Sequence, residues 1–249
     1  MIQSISRALE ILELLSANEN KEVSLATISS KLGIDKGTCA NIIKTLRVRG
    51  YIDQAAPRSG YRLGYKLYHL TGRTIENDSL TKIARVDLQD LGDKLNESAI
   101  LSVVRNDRRV VLFSTSPDRE IVVRTRLDKS VYPACSGRVI IANYTPEHLE
   151  QFIARNGLPR QDEWPGIHLS SNPEGELVNA LTQIKMNGYA IDYDSKGIVG
   201  FAAPLFKHGH IVGAVGVYLP SERMSDEKTI LDSVLACARK INQKIELTK

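Results

Sequence analysis

The sequence predicts an α+β protein in two parts. A small N-terminal bundle of helices is closed by a β-hairpin, and a larger domain of mixed strands and helices follows. Three observations predict this. Apolar residues repeat at helical spacing through the first fifty residues, with polar turns between the runs. The period changes to two at Tyr51, and again over longer stretches from Ala99 onward. Cations crowd into one segment: residues 31–73 hold nine lysines and arginines against two carboxylates, on a chain whose formal net charge is only +4. A basic first quarter on a mildly acidic body is the electrostatic footprint of a nucleic-acid module joined to something else.

The first helix is expected over residues 6–17, where Ala8, Leu9, Ile11, Leu12, Leu14 and Leu15 form an apolar stripe and Arg7, Glu10 and Glu13 lie outside it. Residues 18–22 form a polar turn. Ser24 caps a second helix over 25–32, which buries Leu25, Ile28 and Leu32 and ends at Gly33. Ile34 and Asp35 make a very short turn into a third helix, and Asp35 is its N-cap. Ile42, Ile43 and Leu46 face inward. Lys36, Thr38, Asn41, Lys44, Thr45 and Arg47 face out, with no carboxylate after Asp35, and Gly50 closes the helix. Two short helices with a glycine at the corner form the helix-turn-helix pattern, whose second helix lies in the major groove. Asn41 suits adenine and Lys44 suits guanine or phosphate; Thr38 suits a phosphate or a thymine methyl. Residues 51–53 and 61–63 pair across the turn-rich QAAPRSG, giving a wing on which Arg58 and Arg62 meet phosphate.

A winged helix-turn-helix is therefore expected over 1–66 and a helical connector over 67–97. The connector's apolar positions Leu67, Leu70 and Ile75, and then Ile83, Val86, Leu88 and Leu91, suggest a second subunit as partner. The larger domain is expected over 98–249. Strands are predicted at 99–105, 110–114, 121–127, 189–192, 199–206 and 211–219. Helices are predicted at 136–143, 147–155, 174–187 and 227–247. Strands and helices that are mixed without strict alternation argue for an α+β sensor-like domain.

Composition excludes several classes. Hydrophobic content of 42% with 25% charged residues is ordinary for a globular chain. No apolar run reaches the ~18 residues of a membrane span. The N-terminus lacks a basic start and a cleavage site, so it is not read as a signal peptide. Cys39, Cys135 and Cys237 are too far apart for a disulfide framework or a metal knuckle, which suggests a reduced, cytoplasmic protein without metal or cofactor. No HExxH, GxSxG or GxxxxGK[ST] motif is present, and no catalytic constellation is expected. His208 and His210 flank Gly209 in a predicted hairpin turn and read as solvated. The segment Cys135-Ser136-Gly137-Arg138 opens a helix, where free amides and the helix dipole favour a small anion such as a carboxylate; an ordinary strand-to-helix turn is the alternative.

Taken together, these residues resemble the IclR-type bacterial transcriptional regulators from end to end. SRALEILELLSA, ATISSKLGIDKGTCANIIKTLRVRGYI and YRLGYKL match the DNA-binding half. YPACSGRVIIA, GYAIDYD and GIVGFAAPLFKHGHIVGAVGVYLP match the second half. The resemblance implies a GAF-like effector-binding domain and a homodimer or homotetramer on a palindromic operator of double-stranded DNA. It implies control, as in a repressor, by a small organic-acid-type effector. The alternative is a metabolic enzyme with an appended winged-helix regulatory domain. Family effector sites fall here on Cys135, Ser136, Asp192, Gly200, Gly216 and Tyr218. Tyr132 stands where a histidine is common, Gly200 where a cysteine is frequent, and Gly216 and Tyr218 replace small polar residues; the acidic loop 192–196 is short. These departures imply room for a larger ligand than a small keto acid, such as a sugar acid or an aromatic acid.

Overall fold

The computed structural model describes residues 2–18, 22–54, 56, 59–71, 79–123, 128–194 and 197–248. The chain divides into two compact units, Met1–Asn77 and Asp78–Lys249.

In the first unit, α1 (Gln3–Ser16), α2 (Leu25–Leu32) and α3 (Lys36–Val48) pack around Ile11, Leu15, Val23, Ile28, Ile34, Cys39, Ile43 and Ile52. The Ser24 hydroxyl accepts from the Thr27 amide at 3.1 Å and starts α2. The Asp35 carboxylate accepts from the Gly37 and Thr38 amides at 2.9 and 3.0 Å and starts α3. The wing strands β1 (Ile52–Asp53) and β2 (Arg62–Leu63) pair antiparallel, and a bridge from Tyr61 to Val23 anchors them beneath α2. At Gly64 the chain passes the end of α3 so closely that a Cβ would stand 2.2 Å from the Gly50 carbonyl oxygen. Only glycine fits that crossing. Helix α4 (Tyr65–Thr71) follows within this unit.

The second unit is a six-stranded antiparallel sheet in the order β5-β4-β3-β8-β7-β6. Its strands are β3 (Ser98–Arg105), β4 (Arg108–Ser114), β5 (Asp128–Ser130), β6 (Ala190–Tyr193), β7 (Ile198–Lys207) and β8 (His210–Pro220). Side chains alternate between its faces. Leu101, Val103, Val215, Val217 and Leu219 meet α5 (Ser79–Leu95) and α9 (Glu227–Glu246). Ile100, Val111, Ala202, Ala214 and Tyr218 meet α6 (Cys135–Ala142). Outside α6, α7 (Pro146–Asn156) and α8 (Pro173–Asn187) enclose a third cluster around Tyr132, Phe152 and Trp164. With both faces covered, β7 and β8 read as nearly continuous apolar runs. Among the described residues no helix is long and apolar enough to cross a membrane.

One expected element is corrected. Residues 121–123 of the strand predicted over 121–127 are irregular, and the short β5 begins at Asp128; residues 124–127 lie outside the described residues. The backbone acceptors here go to side chains instead of a ladder. Arg223 donates to the Ile121 carbonyl at 3.2 Å and Ser98 to the Val123 carbonyl at 3.1 Å.

Candidate functional site

The first candidate surface is the outward face of α3. Gly37, Asn41, Lys44 and Val48 fall on one stripe, flanked by Lys36, Thr45 and Arg47, and all are exposed. Thr38 is half-buried at the first turn. Three expected contact residues already have partners. Thr45 donates its hydroxyl to the Asn41 carbonyl at 3.0 Å. Arg47 donates to Gln54 at 2.7 Å, tying the end of α3 to the wing. Arg62 pairs with Asp53 across the wing at 3.0 Å. Arg58 lies outside the described residues. Lys36, Asn41 and Lys44 thus present the polar groups at the centre of the face.

The second candidate site is where α6 meets the sheet. Cys135 and Ser136 open this helix, and both converge on the Tyr218 hydroxyl of β8, at 3.2 and 3.1 Å. Burial pushes the Cys135 thiol up to about 11 and holds the Tyr218 phenol far above its ordinary value. Cys135 is therefore a neutral thiol donating to a neutral phenol, not a nucleophile. Gly200 lies on β7 beside this pair. A Cβ there would stand 2.7 Å from the Tyr218 ring and 2.9 Å from the Cys135 sulfur.

That distance shows what stands in the space left at Gly200. The glycines at 200 and 216 were expected to leave room for a larger ligand, but the Tyr218 ring occupies the space over Gly200. A Cβ at Gly216 would also meet the Phe201 carbonyl oxygen at 2.9 Å. Each small residue accommodates a neighbour.

Asp192, on the edge strand β6, is not a bare carboxylate. It accepts from Arg138 Nη1 at 2.7 Å, and the Arg138 side chain is only 2% exposed. The same guanidinium donates to the Tyr132 carbonyl at 2.6 Å and lies 4.4 Å from the centre of the Trp164 ring. Arg138 therefore locks three segments together: the turn before α6, the strand β6 and the loop after α7. Tyr132 faces away from the α6 opening; its hydroxyl donates to the Gly157 carbonyl at 2.7 Å, and its ring meets Phe152 edge-on. Among the seven effector candidates, Tyr132 packs in the outer cluster, and Gly216 lies on β8 in register with Ala202 and on the face that carries Tyr218. Residues 195 and 196 of the acidic loop lie outside the described residues.

The sequence reading missed Arg109. It is 1% exposed and sits on β4 opposite Val104 and two residues from Val111, on the sheet face that carries Ile100, Cys135 and Tyr218. Its positive charge draws down the Tyr218 and Cys135 values against the larger effect of burial. In the sequence it stood within DRRV and looked like one half of a polar hairpin turn. The alternation from Val111 back to Arg109 is the signal that places it inward.

Comparison with known proteins assigns a family to each part of the chain. Residues 4–56 match the IclR helix-turn-helix domain, and residues 72–243 match the family described as bacterial transcriptional regulator IclR, C-terminal. The chain is 26% identical to the regulator XynR of Escherichia coli over 91% of this chain and 89% of that one. It is 28% identical to the regulator TtgV of Pseudomonas putida over 94% and 88%. Among solved structures, an IclR homolog from Microbacterium hydrocarbonoxydans complexed with 4-hydroxybenzoate superposes with a TM-score of 0.74 at 19% identity, covering 98% of this chain and 100% of that one. The Thermotoga maritima IclR gives 0.72 at 21% identity over 99% and 100%. At such identities the structural likeness establishes the fold.

Proposed function

The chain belongs to the IclR family of bacterial transcriptional regulators and is a DNA-binding regulator rather than an enzyme, and from that premise we propose that its operator binding is controlled by an organic acid received at the α6 face of the sheet. The observation that carries this reading is Arg109, a buried guanidinium on the same sheet face as Cys135 and Tyr218. A planar, permanently charged guanidinium on this face is suited to a carboxylate. The Ser136 hydroxyl and the first amides of α6 add donors. Asp192, fixed by Arg138, offers its remaining acceptor capacity to a ligand hydroxyl. The match is a hydroxylated acid, either an aromatic hydroxy acid or a sugar acid, and its entry turns the Tyr218 ring away from Gly200. The solved relative carrying 4-hydroxybenzoate supports the aromatic choice.

The DNA reading follows from α3. Lys36, Thr38, Asn41 and Lys44 address the major groove, and the wing meets the backbone through Arg58 and Arg62, the latter exchanging Asp53 for phosphate. Two copies of the chain present two such helices to a palindromic operator, with half-sites about one helical turn, roughly 34 Å, apart or a multiple of it. The exposed Ile5 and Leu9 on α1, beside an apolar groove of about 450 Å³, favour association of at least two copies. The acid would act by biasing how the copies are arranged.

A thermal-shift series with 4-hydroxybenzoate, gluconate, glyoxylate and pyruvate tests the ligand class. At a hundredfold excess over Kd, stabilisation is about 2.7 kcal/mol, or about 5–10 °C in melting temperature for a unit of this size. A response to glyoxylate or pyruvate with none to the hydroxylated acids overturns the reading. Arg109→Met should abolish the response while leaving a salt-titrated gel shift on the protein's own upstream DNA unchanged.

A further inference from the structure

We propose that the second unit carries another ligand cavity, on the sheet face opposite Tyr218, that takes a small organic anion with an apolar body. The cavity encloses about 210 Å³ between the end of α5, the turn at Ser221–Arg223 and the start of α9. Leu95, Val217, Leu219 and Ile230 supply its apolar lining, and Lys94, Arg119, Arg223 and Asp226 its charged rim.

The charge of the lining decides the sign of the ligand: Lys94, Arg119 and Arg223 stand against Glu97 and Asp226. Both carboxylates are already used by the wall. Glu97, 4% exposed, accepts from Nε and Nη2 of Arg223 at 2.6 and 2.8 Å. Asp226 caps α9, accepting from the Thr229 amide at 3.3 Å. The cations have donors to spare. Lys94 is exposed and directs one of its three N–H groups to the Ser233 hydroxyl at 3.0 Å. Arg119 directs Nε to the Asn96 carbonyl at 2.8 Å and lies 3.5 Å from Glu97, leaving most of its five N–H groups for other partners. The lining therefore has one positive charge in excess and donors to spare, and a carboxylate or phosphate is the matching group. The volume equals roughly seven waters of liquid, which suits a single ring or a short chain.

The position gives the cavity a consequence for the other site. Val217 and Leu219 line it, while Tyr218 between them faces Cys135 and Ser136. Just before the central strand β3, Glu97 accepts from Arg223, and the adjoining Ser98 donates to the Val123 carbonyl. An occupant of the cavity touches the strand that carries Tyr218. The inference rests on residues separate from Arg109 and stands independently of the effector reading.

The test uses the full-length protein and 4-fluorobenzoate as probe, followed by fluorine NMR and calorimetric titration. The wild type should bind it in a mode that Arg109→Met leaves intact. Lys94→Gln combined with Arg119→Gln should weaken that mode about tenfold, the loss of one charge-assisted contact. Ser225→Phe, an exposed rim change that fills the mouth, should block it while the thermal transition stays in place. An affinity unchanged in both variants, or no Arg109-independent binding at millimolar probe, overturns the proposal.

Discussion

Arg138 provides a quantitative test of how the α6 site is held together. Replacing it with methionine keeps the length and apolar body of the side chain but removes the guanidinium. The change deletes the 2.7 Å contact to Asp192, the 2.6 Å contact to the Tyr132 carbonyl and the stack on Trp164. It leaves the Asp192 carboxylate, 13% exposed, beside an apolar side chain. Removing one partner of a buried pair costs about 3–5 kcal/mol, because the survivor stays desolvated without compensation. At roughly 2–4 °C per kcal/mol for a unit of this size, the melting temperature should fall by about 6–20 °C. Asp192→Asn should cost less, about 1–3 kcal/mol, since the amide oxygen still accepts from Arg138. Trp164 is the sole tryptophan of the chain and lies against the guanidinium, so its fluorescence follows the transition directly. The double variant should cost at least about 1 kcal/mol less than the sum of the two single changes. Strict additivity, or an Arg138→Met protein that melts within about 1 °C of wild type, would refute the claim that this pair locks the site.

Other expectations follow from the same geometry. Native protein at pH 8 should show no thiol reactive toward a disulfide reagent and three after unfolding, because all three cysteines are buried and burial pushes Cys135 up to about 11 and Cys237 up to about 12; one rapidly modified native thiol would contradict this. The Asp35 carboxyl is held below its ordinary value of 3.8 by Thr38. Its contribution to α3 is present above that value and is lost as the pH falls through the lowered one, so exchange protection of α3 amides should drop on acidification. Asp35→Asn should flatten that dependence while keeping the cap. Lys44→Ala should weaken DNA binding and reduce its salt slope by about one while leaving the acid response unchanged; loss of both together would break the separation of the two roles. Gly64→Ala should disrupt the wing and abolish operator binding, because its Cβ would meet the Gly50 carbonyl oxygen at 2.2 Å.

The first unit was largely legible in the sequence because its determinants are local. Ser24 and Asp35 are caps whose partners lie within three residues, and the apolar stripe of each helix is read from its own spacing. The helix boundaries followed from those caps. The second unit was legible as a set of elements, since β7, β8 and α9 carry their own periodicity. Its irregular stretch was not, because the fate of residues 121–123 depends on Ser98 and Arg223, which lie 25 and 102 residues from their acceptors.

The α6 site shows why resemblance named positions better than roles. A glycine in place of a side chain suggests space only if nothing else fills it, and here Tyr218, eighteen residues further along the chain, fills it from the neighbouring strand. An acidic residue suggests an open acceptor only if no cation reaches it, and here Arg138 reaches Asp192 across 54 residues. Both pairings lie outside what one strand's pattern contains. They share a consequence. On the proposed effector reading, a ligand that draws on Asp192 and displaces Tyr218 would change the walls of α6, β6 and β8 together. Val217 and Leu219, on either side of Tyr218, face the other way, toward the layer in which α9 meets α5 through Lys244 and Asp87 and through Ser233 and Lys94.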